Sequence, residues 1–386
     1  MAENPNGSPI VVVGAGPAGL AVALGARQRG LEVLVLDRRH PPLDKPCGEG
    51  LMPDAVARLD ELGVRLDPRA TAPFRGIRYL DGEVVADGLF PHGGGLGVRR
   101  LELHRALVAR CHELAVEIRW GQRVTGVRRL ESRRGAPPRA VVETAEEEIP
   151  ARWVVAADGL RSPLRRQAGL QAPELRRTKE HRRFGLRRHY HLAPWSDRVE
   201  VYWADGCEAY VTPVAAGEVG VAMLWGGDGR GFDQLLEHFP ALAERLEGAV
   251  PASRDLGCGP LHQRVRRVTR GPLALVGDAS GYLDAITGEG LALAFHQAAA
   301  LVDALAAGNL RPYARAHRRI GRLPNTLTAV LLAIERRPRL RRRVIRTLAA
   351  DPALFSRLLG IHARTLKPTQ LGFDGAWRLV RGLAGA

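Results

Sequence analysis

Two glycine-rich stretches hold the residues whose spacing can do chemistry. In the first, IVVVGAGPAGLAVALGARQRGLEVLVLD, Gly14, Gly16 and Gly19 form a GxGxxG array, and Asp37 stands 23 residues beyond Gly14. Gly14 permits a tight turn, Gly16 lets backbone approach a diphosphate, and Gly19 lets a helix pack closely on a strand. The spacing predicts a buried strand over Ile10–Val13, a helix over Pro17–Arg29 and a second strand over Leu31–Leu36. A helix N-terminus in that place turns its positive end to phosphates, and Asp37 is placed for a ribose hydroxyl. The chemistry is dinucleotide binding, with NAD and FAD both open.

The second stretch, GDASGYLDAITGEG over Gly277–Gly290, holds four glycines and three acids. Asp278, Asp284 and Glu289 could hold a metal, the glycines could cradle a second nucleotide, or the stretch could complete the site begun at Gly14. The acids lack the spacing of a calcium loop, so no metal is expected. The other glycine-rich run, PHGGGLGV, is not the turn of a β-α-β unit, so no separate NAD(P)H domain is expected.

Four ordered motifs narrow the choice. Besides the first array, they are RRLELHRALVARC (Arg99–Cys111), VTGVRRL (Val124–Leu130) and WVVAADGLRSPLRRQAGL with its Asp158–Gly159 pair, followed by LALVGDASGYLDAITGEG. Together, from the N-terminus to about residue 310, the chain resembles the FAD-dependent oxidoreductases related to para-hydroxybenzoate hydroxylase, which include aromatic monooxygenases, flavin-dependent halogenases and geranylgeranyl reductases. The resemblance implies a Rossmann-like FAD-binding α/β domain of the glutathione-reductase type, with an inserted antiparallel β-sheet substrate domain and a helical C-terminal tail. It implies that Arg100 contacts the cofactor, that Val124 touches adenine through its backbone, and that Asp278 accepts hydrogen bonds from the ribityl hydroxyls. Gly288 and Gly290 then open an apolar helix, Leu291–Leu305, whose first N–H groups face the flavin where negative charge gathers on reduction. On this reading the second stretch completes the site of the first.

DKPCGEGLMP (Asp44–Pro53) resembles the reductase segment that carries a cysteine close to the isoalloxazine. The resemblance sets Lys45 near the ribose or phosphate and Cys47 near the ring, where a thiol could donate a proton or touch substrate. The competing readings are a solvated lysine and a small buried cysteine in a turn. EAYVTP matches the reductases' aromatic substrate-roof motif only through Tyr210 and Pro213, with Glu208 and Thr212 replacing aromatics. Gly281 and Ala285 stand where aromatic hydroxylases usually have His and Pro. Halogenation is not expected, because the Trp-x-Trp-x-Ile-Pro motif is missing. For His189 and His191, exposed strand positions are expected.

These residues need elements to hold them. Period-2 alternation over 182–192, 198–203, 208–214 and 218–224 predicts strands that, with 77–90, form an antiparallel sheet roofing the flavin. ESRRGAPPRA (131–140) reads as a polar hairpin loop. The domains expected are a discontinuous FAD-binding unit (1–75, 98–170 and 268–310), a substrate sheet (76–97 and 171–267) and a basic helical region (311–386). After Pro338, Leu340, Val344, Ile345 and Leu348 share one helical face and arginines the other.

Bulk properties exclude several classes. The chain has 386 residues, 45% of them hydrophobic, enough for a large core. Four scattered cysteines give neither a disulfide framework nor a zinc site. The formal charge is +16, but residues 311–367 alone carry fourteen arginines and one lysine against Glu335 and Asp351, a net +13. With no RNA-binding signature or zinc finger, no nucleic-acid partner is expected. The basic region is expected either to dock on an anionic membrane or acidic carrier protein, or to lay its apolar stripe on its own domain. The first apolar run is too short for a signal or a membrane span, so a cytoplasmic location is expected.

The function expected from these features is an FAD monooxygenase that hydroxylates a hydrophobic phenolic or polyketide-type substrate with NAD(P)H and O₂. The alternatives are a flavin-dependent alkene reductase of geranylgeranyl type and a non-catalytic flavin-bearing interaction protein.

Overall fold

The structure is a computed structural model, described here for residues 8–130, 139–173, 182–227 and 229–385. Of the expected loop 131–140, residues 131–138 lie outside this set, while Arg139 and Ala140 are not loop but open the strand Arg139–Thr144, which pairs antiparallel with Val124–Leu130.

The central sheet runs in the order Thr269–Arg270, Leu273–Leu275, Trp153–Ala156, Ile10–Val13, Val33–Asp37, Glu117–Trp120. All neighbours pair in parallel except the first two. Its middle strands read as unbroken apolar runs because both faces are covered. Val12, Val35 and Val155 pack under the helices Pro17–Gln28, Arg100–Glu113 and Gly290–Ala306. Val11, Leu34, Leu36 and Val154 point the other way, onto the three-stranded layer of Val124–Leu130, Arg139–Thr144 and Glu148–Ala151.

A second, eight-stranded sheet contains Arg183–His191, Glu218–Gly226, Cys207–Ala215, Val199–Ala204, Gly76–Asp81 and Val84–Leu89 in that order, with Val250–Pro251 and Leu256–Cys258 along the edge at Arg183–His191. The alternating stretches thus form strands as expected. The sheet is not wholly antiparallel, because Val199–Ala204 runs parallel to Gly76–Asp81. Its outer face carries Ala209, Val211 and Val221 under the short helices Phe232–Leu236 and Pro240–Arg245. Its inner face meets Met52, Phe74 and Ile286 and the C-terminal helices.

Four helices follow: Arg311–Glu335, Pro338–Ala350, Pro352–His362 and Gly372–Gly385. Ile345, Leu348, Phe355 and Leu359 pack on Ile77, Ala86 and Trp203 of the second sheet. The apolar stripe after Pro338 is therefore inside the protein. Arg341, placed by helical periodicity on the solvated face, is only 1% exposed. Its guanidinium forks onto Asp81 at 3.1 and 3.2 Å and reaches Asp205 at 3.0 Å. Among the described residues no helix is long and apolar enough to cross a membrane.

Candidate functional site

The first glycine array is fixed by steric necessity at two of its three positions. Gly14 has φ of +109°, and a Cβ there would lie 2.4 Å from the Ala157 carbonyl oxygen. A Cβ on Gly19 would lie 1.9 Å from the Gly14 oxygen, so helix and strand meet there without side chains. Gly16 differs, since no atom lies within 4 Å of its Cβ position. That is the open side of the turn, and it leads directly into the helix that starts at Pro17.

Asp37 ends the second strand with both oxygens engaged. Oδ2 accepts from the Ala15 N–H at 2.8 Å and Oδ1 from the Arg39 N–H at 2.9 Å. A carboxylate keeps further lone pairs for hydroxyl donors. Beneath the turn lies His104. Its Nδ1 accepts from the Leu43 N–H at 3.3 Å, which makes Nε2 the protonated nitrogen that donates to the Ala15 oxygen at 3.0 Å. Burial pushes its pKa down to about 4, so the ring is neutral at pH 7. Sequence reading passed over His104, although it stands inside the quoted Arg99–Cys111 motif.

The segments behind the turn converge on the same cleft. Lys45 Nζ lies 2.9 Å from the Cβ position of Gly159, with Asp278 and Arg100 close enough to act on its charge. Burial lowers its pKa and Asp278 opposes that fall. Lys45 is thus not a solvated loop charge. Cys47 Sγ accepts from the Glu49 N–H at 3.3 Å, and burial pushes the thiol up, so it keeps its proton at neutral pH. Arg100 opens its helix with its N–H on Glu49 Oε1 at 2.8 Å. Val124 begins its strand in the antiparallel layer, half-buried beside the second core cluster. Asp158 Oδ2 accepts from the Leu164 N–H at 3.2 Å, while Oδ1 is buried without a partner among the described residues.

The late motif is held from behind. Gly277 has φ of +60° and donates to Gln297 Oε1 at 2.9 Å. Arg165, 1% exposed, donates to the Ala279, Asp278 and Leu160 carbonyls at 3.1, 3.3 and 2.8 Å. This buried guanidinium fastens the Asp158–Gly159 segment to the late motif, a role no local pattern announces. The Asp278 carboxylate accepts no hydrogen bond from the described residues, and its charge faces Lys45. Gly288, with φ of +70°, has nothing within 4 Å of its Cβ position, and the helix starts at Gly290.

The three acids of the late motif diverge. Asp284 pairs with Arg183 at 2.9 Å and Glu289 with His362 at 2.7 Å. No group of metal-binding side chains occurs among the described residues. Tyr210 donates its hydroxyl to the Ile286 carbonyl at 2.8 Å, and burial holds it far above the usual phenol range. His191 is exposed as expected. His189, by contrast, is fully buried, between Glu49 Oε2 at 2.5 Å and Ser253 Oγ at 2.9 Å. Alternation could not show this, because the roof's inner face is closed by the segment carrying Glu49.

Open backbone at Gly16 and Gly288, an orphaned Asp158 oxygen and the unengaged Asp278 carboxylate fit a dinucleotide running from the first turn to the late helix. The comparisons agree. Residues 8–212 match the family described as FAD binding domain. The menaquinone reductase of Mycobacterium tuberculosis is 30% identical over 304 residues, covering 73% of this chain and 72% of that protein. A digeranylgeranylglycerophospholipid reductase of Methanococcus vannielii is 26% identical, covering 74% and 73%. The para-nitrophenol 4-monooxygenase of a Pseudomonas species is 32% identical over 178 residues, 42% of each chain. Among solved structures, a flavoprotein/dehydrogenase from Cytophaga hutchinsonii superposes with a TM-score of 0.78 at 19% identity, covering 94% of each chain. The halogenase PltM in complex with phloroglucinol and FAD gives 0.75 at 15% identity, covering 97% and 85%. Motifs, geometry and relatives agree: the chain belongs to the FAD-binding-domain family and is an FAD-dependent oxidoreductase.

Proposed function

We propose that this oxidoreductase is a reductase of a carbon–carbon double bond in a hydrophobic, isoprenoid-type lipid, with NAD(P)H as the electron source. One observation carries the choice over hydroxylation. The relatives matched over 73% and 74% of the chain are named a menaquinone reductase and a digeranylgeranylglycerophospholipid reductase, whereas the monooxygenase match spans 42% of the chain. Gly281 and Ala285, in place of the hydroxylases' His and Pro, point the same way.

Gly14, Gly16, Gly19 and Asp37 would hold the adenosine diphosphate half of FAD. Lys45, Arg100, Asp158, Gly159, Asp278, Gly288 and Gly290 would hold the flavin half, and the backbone of Val124 would meet the adenine. The bound flavin supplies hydride-transfer chemistry. The protein's part is to exclude water under the roof, orient the lipid and keep Cys47 protonated beside it.

The test is anaerobic incubation of the FAD-loaded protein with NADPH and a geranylgeranyl lipid, read by mass spectrometry. A product heavier by two hydrogens supports reduction. Oxygen consumption matched to NADPH with a phenolic substrate, and no saturated lipid, would favour the monooxygenase.

Such a substrate resides in membranes, and we propose that the chain meets it at an anionic lipid surface. The last helix, Gly372–Gly385, supports this. Phe373 is 97% exposed and Trp377, four residues on, is 64% exposed. The helix packs beside Pro338–Ala350, which keeps Arg339, Arg342 and Arg346 exposed.

A further inference from the structure

Under the roof, apart from every residue assigned to the cofactor, one guanidinium serves three carboxylates. Arg183 bonds Glu208 and Asp284, the latter at 2.9 Å, and stands 3.7 Å from Glu335. The four come from two roof strands, the late-motif loop and the end of the helix Arg311–Glu335, and all are buried. Glu208 is fully buried, and its second oxygen, Oε2, has no hydrogen-bond partner among the described residues.

The direction of Glu208 follows from the pleat. Glu208, Tyr210 and Thr212 alternate along one strand and share a face. The Tyr210 hydroxyl reaches the Ile286 carbonyl, and the Thr212 hydroxyl reaches the Gly48 carbonyl at 2.8 Å. Both carbonyls belong to flavin-domain segments, so Glu208 lies on the face turned toward the cofactor cleft.

One positive charge among three negative ones at a buried position favours uptake of a proton. Asp284 is held by Arg183 and also accepts from the Ile286 N–H at 3.1 Å. Among the described residues Glu208 has Arg183 alone, and burial pushes its pKa up to about 8. Its Arg183-bound oxygen is engaged, which leaves Oε2 to carry the proton.

We propose that Glu208 stands as a neutral acid whose Oε2–H donates a hydrogen bond to an uncharged oxygen of the lipid, a carbonyl of quinone or enone type. The rest of the cluster, Arg183 with Asp284 and Glu335, keeps one net negative charge and disfavours a phosphate at that point. The substrate group that meets Glu208 is therefore a neutral carbonyl rather than a phosphate. This rests on the roof's inner face being the substrate wall of the lipid reductase.

The experiment measures binding to the oxidised, FAD-loaded protein, by flavin fluorescence and calorimetry, for a geranyl-substituted 1,4-naphthoquinone and for geranylgeranyl phosphate. Wild type is expected to prefer the quinone. Glu208→Leu should weaken quinone binding about tenfold, the worth of one neutral hydrogen bond, and leave phosphate binding no weaker. Glu208→Gln keeps a donor and the shape, so it should bind the quinone well.

The variants should also differ with pH. Wild-type affinity should fall as pH rises through about 8, while Glu208→Gln stays flat. Of the other groups acting on Glu208, Arg183, Tyr210 and Cys207 are all shifted upward, out of this range, and the remaining two are the carboxylates Asp284 and Glu335. The infrared band of a protonated carboxylic acid at pH 7 should vanish in Glu208→Gln. Equal quinone affinity in all three proteins, or no such band in wild type, overturns the assignment. Glu208-dependent quinone binding without alkene saturation would sink the reductase reading and leave this one standing.

Discussion

Asp37 and Asp278 are both carboxylates at strand ends, yet among the described residues only the first accepts hydrogen bonds. Replacing Asp278 by Ala therefore breaks no hydrogen bond among the described residues, and apart from removing the charge opposite Lys45 it should act on FAD. The lost charged acceptor is worth roughly 1.5–3 kcal/mol, about tenfold to a hundredfold in affinity, checked by titrating apoprotein with FAD. His104 makes the opposite prediction, through pH. Its folded pKa, about 4, lies below its ordinary 6.5. The stability it contributes is therefore whole above about 6.5 and is lost as pH falls toward 4. Acid should loosen the glycine turn and release FAD in that window, and His104→Gln should flatten the pH dependence of retention over the same range. Cys47→Ser should alter turnover with FAD content unchanged, because a hydroxyl is a far poorer proton donor than a thiol. Unchanged kinetics would reduce Cys47 to a packing role. Asp278, Gly14 and Cys47 could be singled out from sequence because each sits in a local pattern. The roles of His104, Arg165 and Glu208 were not legible there, because their partners lie 89, 114 and 25 residues away.

At the scale of elements, the helix Pro338–Ala350 shows what a periodic pattern leaves open. Its stripe predicts that something apolar covers it, and the second sheet of the same chain does so. Ile345→Ala should cost about 2–5 kcal/mol in denaturant unfolding, as a buried aliphatic truncation. Arg341→Ala should cost about 3–5 kcal/mol, because it strands Asp81 inside. Arg342→Ala, on the exposed side, should stay within about 0.5 kcal/mol. Membrane contact then falls to the helix Gly372–Gly385. The protein should co-sediment with anionic but not neutral vesicles, less so at high salt, and Phe373→Ser with Trp377→Ser should weaken it. Equal, negligible binding to both vesicles would remove the docking proposal, and capture of an acidic protein instead would name a different partner.

For the whole molecule, the proposed cofactor cleft draws on segments around residues 14–19, 37, 45, 158 and 278, so it exists only in the folded chain. FAD should be non-covalently held, released intact on denaturation, and should raise the melting temperature as it is added. At a hundredfold excess over Kd the gain is about 2.7 kcal/mol. The sequence alone determined the parallel sheet, both flavin motifs and the alternation of the roof strands. Those features are local, being set by glycine sterics, continuous apolar runs and period-2 patterning. Tertiary structure decided which face of each amphipathic element meets which neighbour. It buried His189 under Glu49, turned the basic helix's stripe inward with Arg341, and brought Glu208, Asp284 and Glu335 onto one arginine. The physical reason is that burial and charge pairing depend on residues far apart in the chain, whose meeting is fixed only when the layers close.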